Sequence, residues 1–115
     1  MEKEAQFLID NKLYKQDQLQ LVSDLLEGHE RWNTLTVLKD LKGIYGLARW
    51  NVETIELAHV IDVAIRKDKR RTKVLKQLIK LGINKFPAVK YIRFERGFKK
   101  KKHFRTLAIN KIIKE

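Results

Sequence analysis

The sequence predicts a mainly α, compact helical domain with a short C-terminal basic β-hairpin; an all-α bundle is the alternative. Three observations carry this. Apolar residues recur at three- and four-residue steps through most of the chain up to Gly82. After Gly82 the period breaks, and two stretches rich in β-branched and aromatic residues flank a glycine and a lysine run. The 115 residues are 43% hydrophobic, with one proline and no internal repeat, which fits one domain over 1–115.

The elements follow in order. Residues 3–14 hold Phe7, Leu8, Ile9, Leu13 and Tyr14, a helix signal, although Asp10-Asn11 can make a turn there. A helix is expected at about 17–27, with Leu19, Val22, Leu25 and Leu26 as its stripe and Gly28 as its stop. A third spans about 32–46, where Trp32, Leu35, Leu38, Leu41 and Tyr45 recur at helical steps. Asn51 is a plausible N-cap for the next, with Ile55, Leu57, Val60 and Ile61 inward. Asp68 or Thr72 starts a basic helix that ends at Gly82. Strands are expected at 88–94 and 103–109, joined by a basic tip; a helix over 104–114 competes with the second strand. Residues 1–30 form a helical extension and a candidate dimer surface, and 31–110 a nucleic-acid-binding core.

Charge is divided unevenly. Residues 1–60 carry 7 basic and 10 acidic side chains, a balance of −3, while 61–115 carry 19 and 4, a balance of +15. Such a split points to a basic half that meets a polyanion. Placed on a helix, residues 69–81 put Lys69, Lys73, Lys76 and Lys80 on one stripe about 17 Å long. Val74, Leu75, Leu78, Ile79 and Leu81 fall opposite. Like charges on one face repel, and a bound phosphate backbone would offset that. Arg70 and Arg71 add planar donors suited to phosphate or a guanine edge. The bland reading is a solvated amphipathic helix. A second cluster follows in Arg96, Lys99, Lys100, Lys101, Lys102 and Arg105, with Gly97 to turn the chain. Phe98 and Phe104 flank it, as core residues or as stacking platforms.

A helix over TLTVLKDLKGIYGL, a second over RWNVETIELAHVI, a basic helix ending QLIKLGI, then strand, basic turn and strand resemble the winged helix-turn-helix DNA-binding superfamily. Leu75, Leu78, Gly82 and Ile83 carry the resemblance at the recognition helix, and Glu56-Leu57-Ala58 at the start of the second helix. It covers roughly residues 34–110. It implies that residues 69–76 enter the major groove and that 96–102 form a wing on the backbone or minor groove.

Enzyme chemistry finds no motif. Cysteine is absent, which removes disulfides and thiol chemistry. His29, His59 and His103 share no metal-ligand spacing, and there is no glycine-rich phosphate loop. Glu53 and Glu56, or Asp62 and Asp68, read better as caps and solvated acids than as nuclease carboxylates. Trp32 and Trp50 read as core anchors. No apolar run spans a membrane and no signal peptide opens the chain, so the expected location is cytoplasmic. The expectation is therefore a non-enzymatic regulator or accessory factor on duplex DNA, without cofactor or metal, and a candidate homodimer. RNA binding, or an adaptor or inhibitor role on an acidic protein, are the alternatives.

Overall fold

A computed structural model describes residues 1–70, 72–96 and 103–112. The order is α1 (Glu2–Asp10), α2 (Leu19–Arg31), β1 (Leu35–Asp40), β2 (Gly43–Val52), β3 (Leu57–Ile65), α3 (Thr72–Lys85), β4 (Tyr91–Arg96), β5 (His103–Ala108) and α4 (Ile109–Ile112). Short 3₁₀ turns occupy Gln16–Gln18 and Lys67–Lys69. The strands form one five-stranded mixed sheet in the order β1-β2-β3-β4-β5. β3 and β4 pair parallel, and the other neighbours antiparallel. A parallel pair needs a crossover, and α3 supplies it.

The class is therefore α/β, which corrects the mainly α expectation and the all-α alternative alike. The segments read as helices at 32–46 and from Asn51 onward are strands, so residues 35–65 form no helix-turn-helix. Burial explains the misreading. Thr34, Leu35, Thr36 and Leu38 are all buried, because the sheet is covered on both faces and its strands lose the apolar/polar alternation. The turn signal was present: Lys42 N donates to Asp40 Oδ1 at 2.9 Å, and Gly43 has φ +119, where glycine is favoured.

On one face, α1 and α2 bring Ala5, Phe7, Leu8, Val22 and Leu26 against Leu35, Leu47 and Ala64. On the other, Val74 and Leu78 of α3 pack on Leu38, Ala48, Trp50 and Ala58. Each fully buried leucine contributes about 1.5–3 kcal/mol through the apolar surface it removes from water. Neither Gly28 nor Gly82 ends its helix: α2 runs to Arg31 and α3 to Lys85. A Cβ on Gly82 would lie 3.3 Å from the Trp50 indole, so glycine lets α3 settle onto that ring. Trp50 in turn meets Phe86 edge-on, centroids 5.0 Å apart. Trp32 is no core anchor, being 80% exposed. The C-terminal hairpin is present, with β4 and β5 in register from Tyr91↔Ala108 to Arg96↔His103. Its tip lies outside the described residues.

Candidate active site

The site is built on a parting of strands. The parallel ladder between β3 and β4 ends at Val60↔Phe94, although β3 runs on to Ile65 and β4 to Arg96. Beyond that point, among the described residues, β3 pairs with β2 alone. Arg66 N donates to Tyr45 O, which sets the alternation along β3: Arg66, Ala64 and Asp62 bond toward β2. Val63 and Ile65 therefore turn their amides and carbonyls to the vacated edge. The Ile65 carbonyl there accepts Arg70 Nε at 2.9 Å.

The parting opens a cleft of about 480 Å³. Its walls are apolar: Val60, Val63, Ile92 and Phe94 from the sheet, and Leu75, Leu78, Ile79 and Ile83 from α3. Leu13 and Asp62 also line it, and Leu13 belongs to the turn after α1, so the cleft reaches through to the α1/α2 side of the sheet.

At that end stands a buried polar group. Asp62 Oδ2 accepts two hydrogen bonds of 2.7 Å, from Arg49 Nε and from Tyr14 Oη. Arg49 Nη2 also donates to Tyr14 Oη at 3.0 Å. Both bonds to Asp62 fall on one oxygen, which leaves Oδ1 for a further donor. The ion pair is nearly closed to water, with side chains 11% and 12% exposed. Burial first, and then the bond to Asp62, raise the Tyr14 phenol above its ordinary pKa, so it stays protonated at neutral pH. Arg49 Nη1 lies 3.3 Å from His29 Nε2, and His29 Nδ1 lies 2.7 Å from Thr34 Oγ1. An arginine only donates, which assigns Nε2 as acceptor and Nδ1 as the protonated nitrogen. Burial and the Arg49 charge hold the His29 pKa below its usual value.

Within the β3–β4 ladder His59, a strand residue paired with Arg93, accepts Arg93 Nε at 3.3 Å, and Arg93 pairs with Glu53. Among the described residues, no group of His, Asp or Glu is placed to hold a metal ion.

The predicted basic residues divide. Lys69 lies in the 3₁₀ turn before α3, not on the helical stripe, and sits 5.6 Å over the Tyr45 ring. Arg70 is spent on Ile65 O and on Asn11 Oδ1. Lys73, Lys76 and Lys80 do share a face of α3, outside its buried Val74 and Leu78. Arg96 ends β4 and Arg105 faces Phe94 in register. Arg71, Lys99, Lys100, Lys101 and Lys102 lie outside the described residues. A neighbour of this set is also internal: Arg66 bonds both oxygens of Asp40, at 3.2 and 2.6 Å, and pairs with Asp68. That clasp ties the basic turn to the β1–β2 hairpin. It holds Asp40 down to about 2.

No family model and no curated protein matches the sequence. Solved structures do match in fold. One is the diaminobutyrate acetyltransferase of Paenibacillus lautus, in complex with L-2,4-diaminobutyric acid and coenzyme A. It has TM-score 0.63 and 16% identity, over 82% of this chain and 58% of that one. Another is an aminoglycoside 6'-acetyltransferase type Ii, with TM-score 0.59 and 9% identity, over 79% and 60%. A third is a GNAT family N-acetyltransferase of Escherichia coli in complex with CoA, with TM-score 0.52 and 18% identity, over 79% and 54%.

The fold is that of the GNAT acetyltransferases. At these identities the likeness establishes the fold, and the chain spans little more than half the length of those structures. It overturns the winged helix-turn-helix resemblance and, with it, the DNA-binding, transcription-regulation and nucleic-acid-partner expectations. All three are named as acetyltransferases and two of them are complexes with CoA, so the expectation of a non-enzyme is withdrawn as well. Among the described residues no helix is long and apolar enough to cross a membrane.

Sequence reasoning used Tyr14 only as part of a helix signal, passed over Arg49 and set Asp62 aside as a solvated acid. The three lie far apart in the chain, and only the sheet register joins them. A charged residue within the apolar run HVIDVAI was the available signal.

Proposed function

We propose that the chain is an N-acyltransferase that moves an acyl group from a CoA thioester to an amine. The observation that carries the reading is the cleft at the β3–β4 parting, with a basic turn on one side and the Asp62 group at the other end. A CoA thioester would supply an activated acyl carbon. Its pantetheine arm alternates methylenes with amides, which suits apolar walls beside the open Val63 backbone edge. Its phosphates suit Lys67 and Lys73 and the first turn of α3, which carries no acid. The turn Lys67–Thr72 contains no glycine, so phosphate contacts there would run through side chains more than through a backbone nest.

Asp62 Oδ1 would accept an N–H of the incoming amine and take its proton as the C–N bond forms and the C–S bond breaks. The departing thiolate takes its proton from solvent at the cleft mouth. Tyr14 and Arg49 hold the carboxylate in place. A cytoplasmic location is part of this reading.

The test is thiol release from acetyl-CoA in the presence of a panel of amines. The chain has no cysteine, so a thiol reagent gives no protein background. Amine-dependent release, lost in Asp62→Asn, supports the reading. No release with any amine, at saturating acetyl-CoA, counts against it.

A further inference from the structure

Helix α2 is apolar on two opposite sides. Val22, Ser23 and Leu26 face the sheet and are buried. On the far side, Leu21, Leu25, Gly28 and the C-capping Trp32 fall within an arc of about 60° at helical spacing. They are not buried in this chain: Leu21 is 58% exposed, Leu25 40% and Trp32 80%. A Cβ on Gly28 would meet nothing within 4 Å. Beside it is a hollow of about 340 Å³ bounded by Asp24, Leu25, Gly28, His29, Trp32 and Asn51, among others.

The stripe is palindromic. Leu21 and Trp32 stand equally far from its midpoint between Leu26 and Glu27, and so do Leu25 and Gly28. An antiparallel copy of the same helix across a two-fold axis would set Leu25 of one chain over Gly28 of the other. It would also set Trp32 of one against Leu21 of the other. Large residues thus meet small or complementary ones at every step, as an isologous interface requires. The charges beside the stripe agree. Asp24 and Arg31 are exposed on one flank, and the same antiparallel pairing brings each against its opposite on the second chain, twice. Within one chain they are seven residues apart, about 10 Å along the axis, beyond ion-pair reach.

We infer that this face of α2 is a homodimer interface whose partner is a second copy of the chain. Helix α2 is about 20 Å long, so one helix pair buries less than the roughly 800 Å² per partner of a standard interface. An interface of that size belongs with weak, reversible associations. The proposal is independent of the acyl-transfer reading.

Sedimentation of the full chain, from micromolar to near-millimolar concentration, tests it. The wild type should pass from monomer to dimer. Leu25→Asp should raise the dissociation constant about 10-fold or more, since a carboxylate would be buried against Gly28. Asp24→Arg alone and Arg31→Asp alone should each weaken the dimer, and the double exchange should restore it. Both positions are exposed, so the exchanges leave the fold intact, which circular dichroism checks. A monomer at every concentration overturns the proposal. So does a dimer indifferent to Leu25→Asp, or one that the double exchange fails to restore.

Discussion

Tyr14 and Asp62 stand 48 residues apart in sequence and share a hydrogen bond of 2.7 Å. The bond joins the turn after α1 to the middle of β3, at the point where β4 has parted from β3. A carboxylate is thereby held at the end of an apolar cleft with one oxygen occupied and the other available. Replacing Asp62 with Asn keeps an acceptor for Arg49 and Tyr14 but removes the base. The expected loss in kcat/KM for amine acetylation is about 10²-fold or more. The fold, read by amide spectra, should persist with reduced stability, since the Arg49 guanidinium loses its counter-charge.

Arg49 answers the buried charge of Asp62. Arg49→Met should destabilise the chain by about 3–5 kcal/mol, because an unpaired carboxylate stays in a nearly closed site. Arg49→Met with Asp62→Asn should recover much of that. Urea unfolding of the two variants measures both. Equal destabilisation in the single and double variants would mean that the ion pair is not what Arg49 contributes.

His29 is held neutral by burial and by Arg49. The unfolded chain takes up a proton near the ordinary histidine value of about 6.5, and the native state resists it. More protons on the unfolded state mean that stability rises with pH, so it should fall as pH drops below about 6.5. His29→Gln retains an acceptor for Arg49 and removes the titration. Its melting temperature should vary less between neutral pH and pH near 5 than that of the wild type.

Much of the helical part of this architecture can be read from the sequence. Phe7 and Leu8, Val22 and Leu26, and Val74 and Leu78 mark α1, α2 and α3 by spacing alone, and the break in period after Gly82 marks the hairpin. The central sheet is hidden for a physical reason. Strands β1 to β3 are covered on both faces, so Leu57 to Ile65 is an apolar run broken only by His59 and Asp62, and in β1 the threonines Thr34 and Thr36 are buried along with Leu35 and Leu38. Such runs imitate buried helices. The site is hidden by distance, since Tyr14, Arg49 and Asp62 meet only through strand register. The basic residues are legible as charge but not as roles: Arg66 and Arg70 turn inward to Asp40, Asp68 and Ile65.

Arg66 therefore predicts a positioning effect. Arg66→Gln should release the basic turn from the β1–β2 hairpin and weaken CoA binding several-fold, with little change in kcat at saturating CoA. Charge reversal at both ends, Arg66→Asp with Asp40→Arg, should restore part of the affinity. A fall in kcat with unchanged CoA affinity would place Arg66 in another role.

A CoA thioester seated in the β3–β4 parting would lie along the open backbone edge of Val63 and Ile65 and against the first turn of α3. Titration of the isotope-labelled chain with CoA, followed by amide shifts, tests it most directly. One saturable site is expected, with the largest shifts at Val63, Ile65 and the first turn of α3. No shifts at millimolar CoA, or shifts confined to residues away from the cleft, would contradict it.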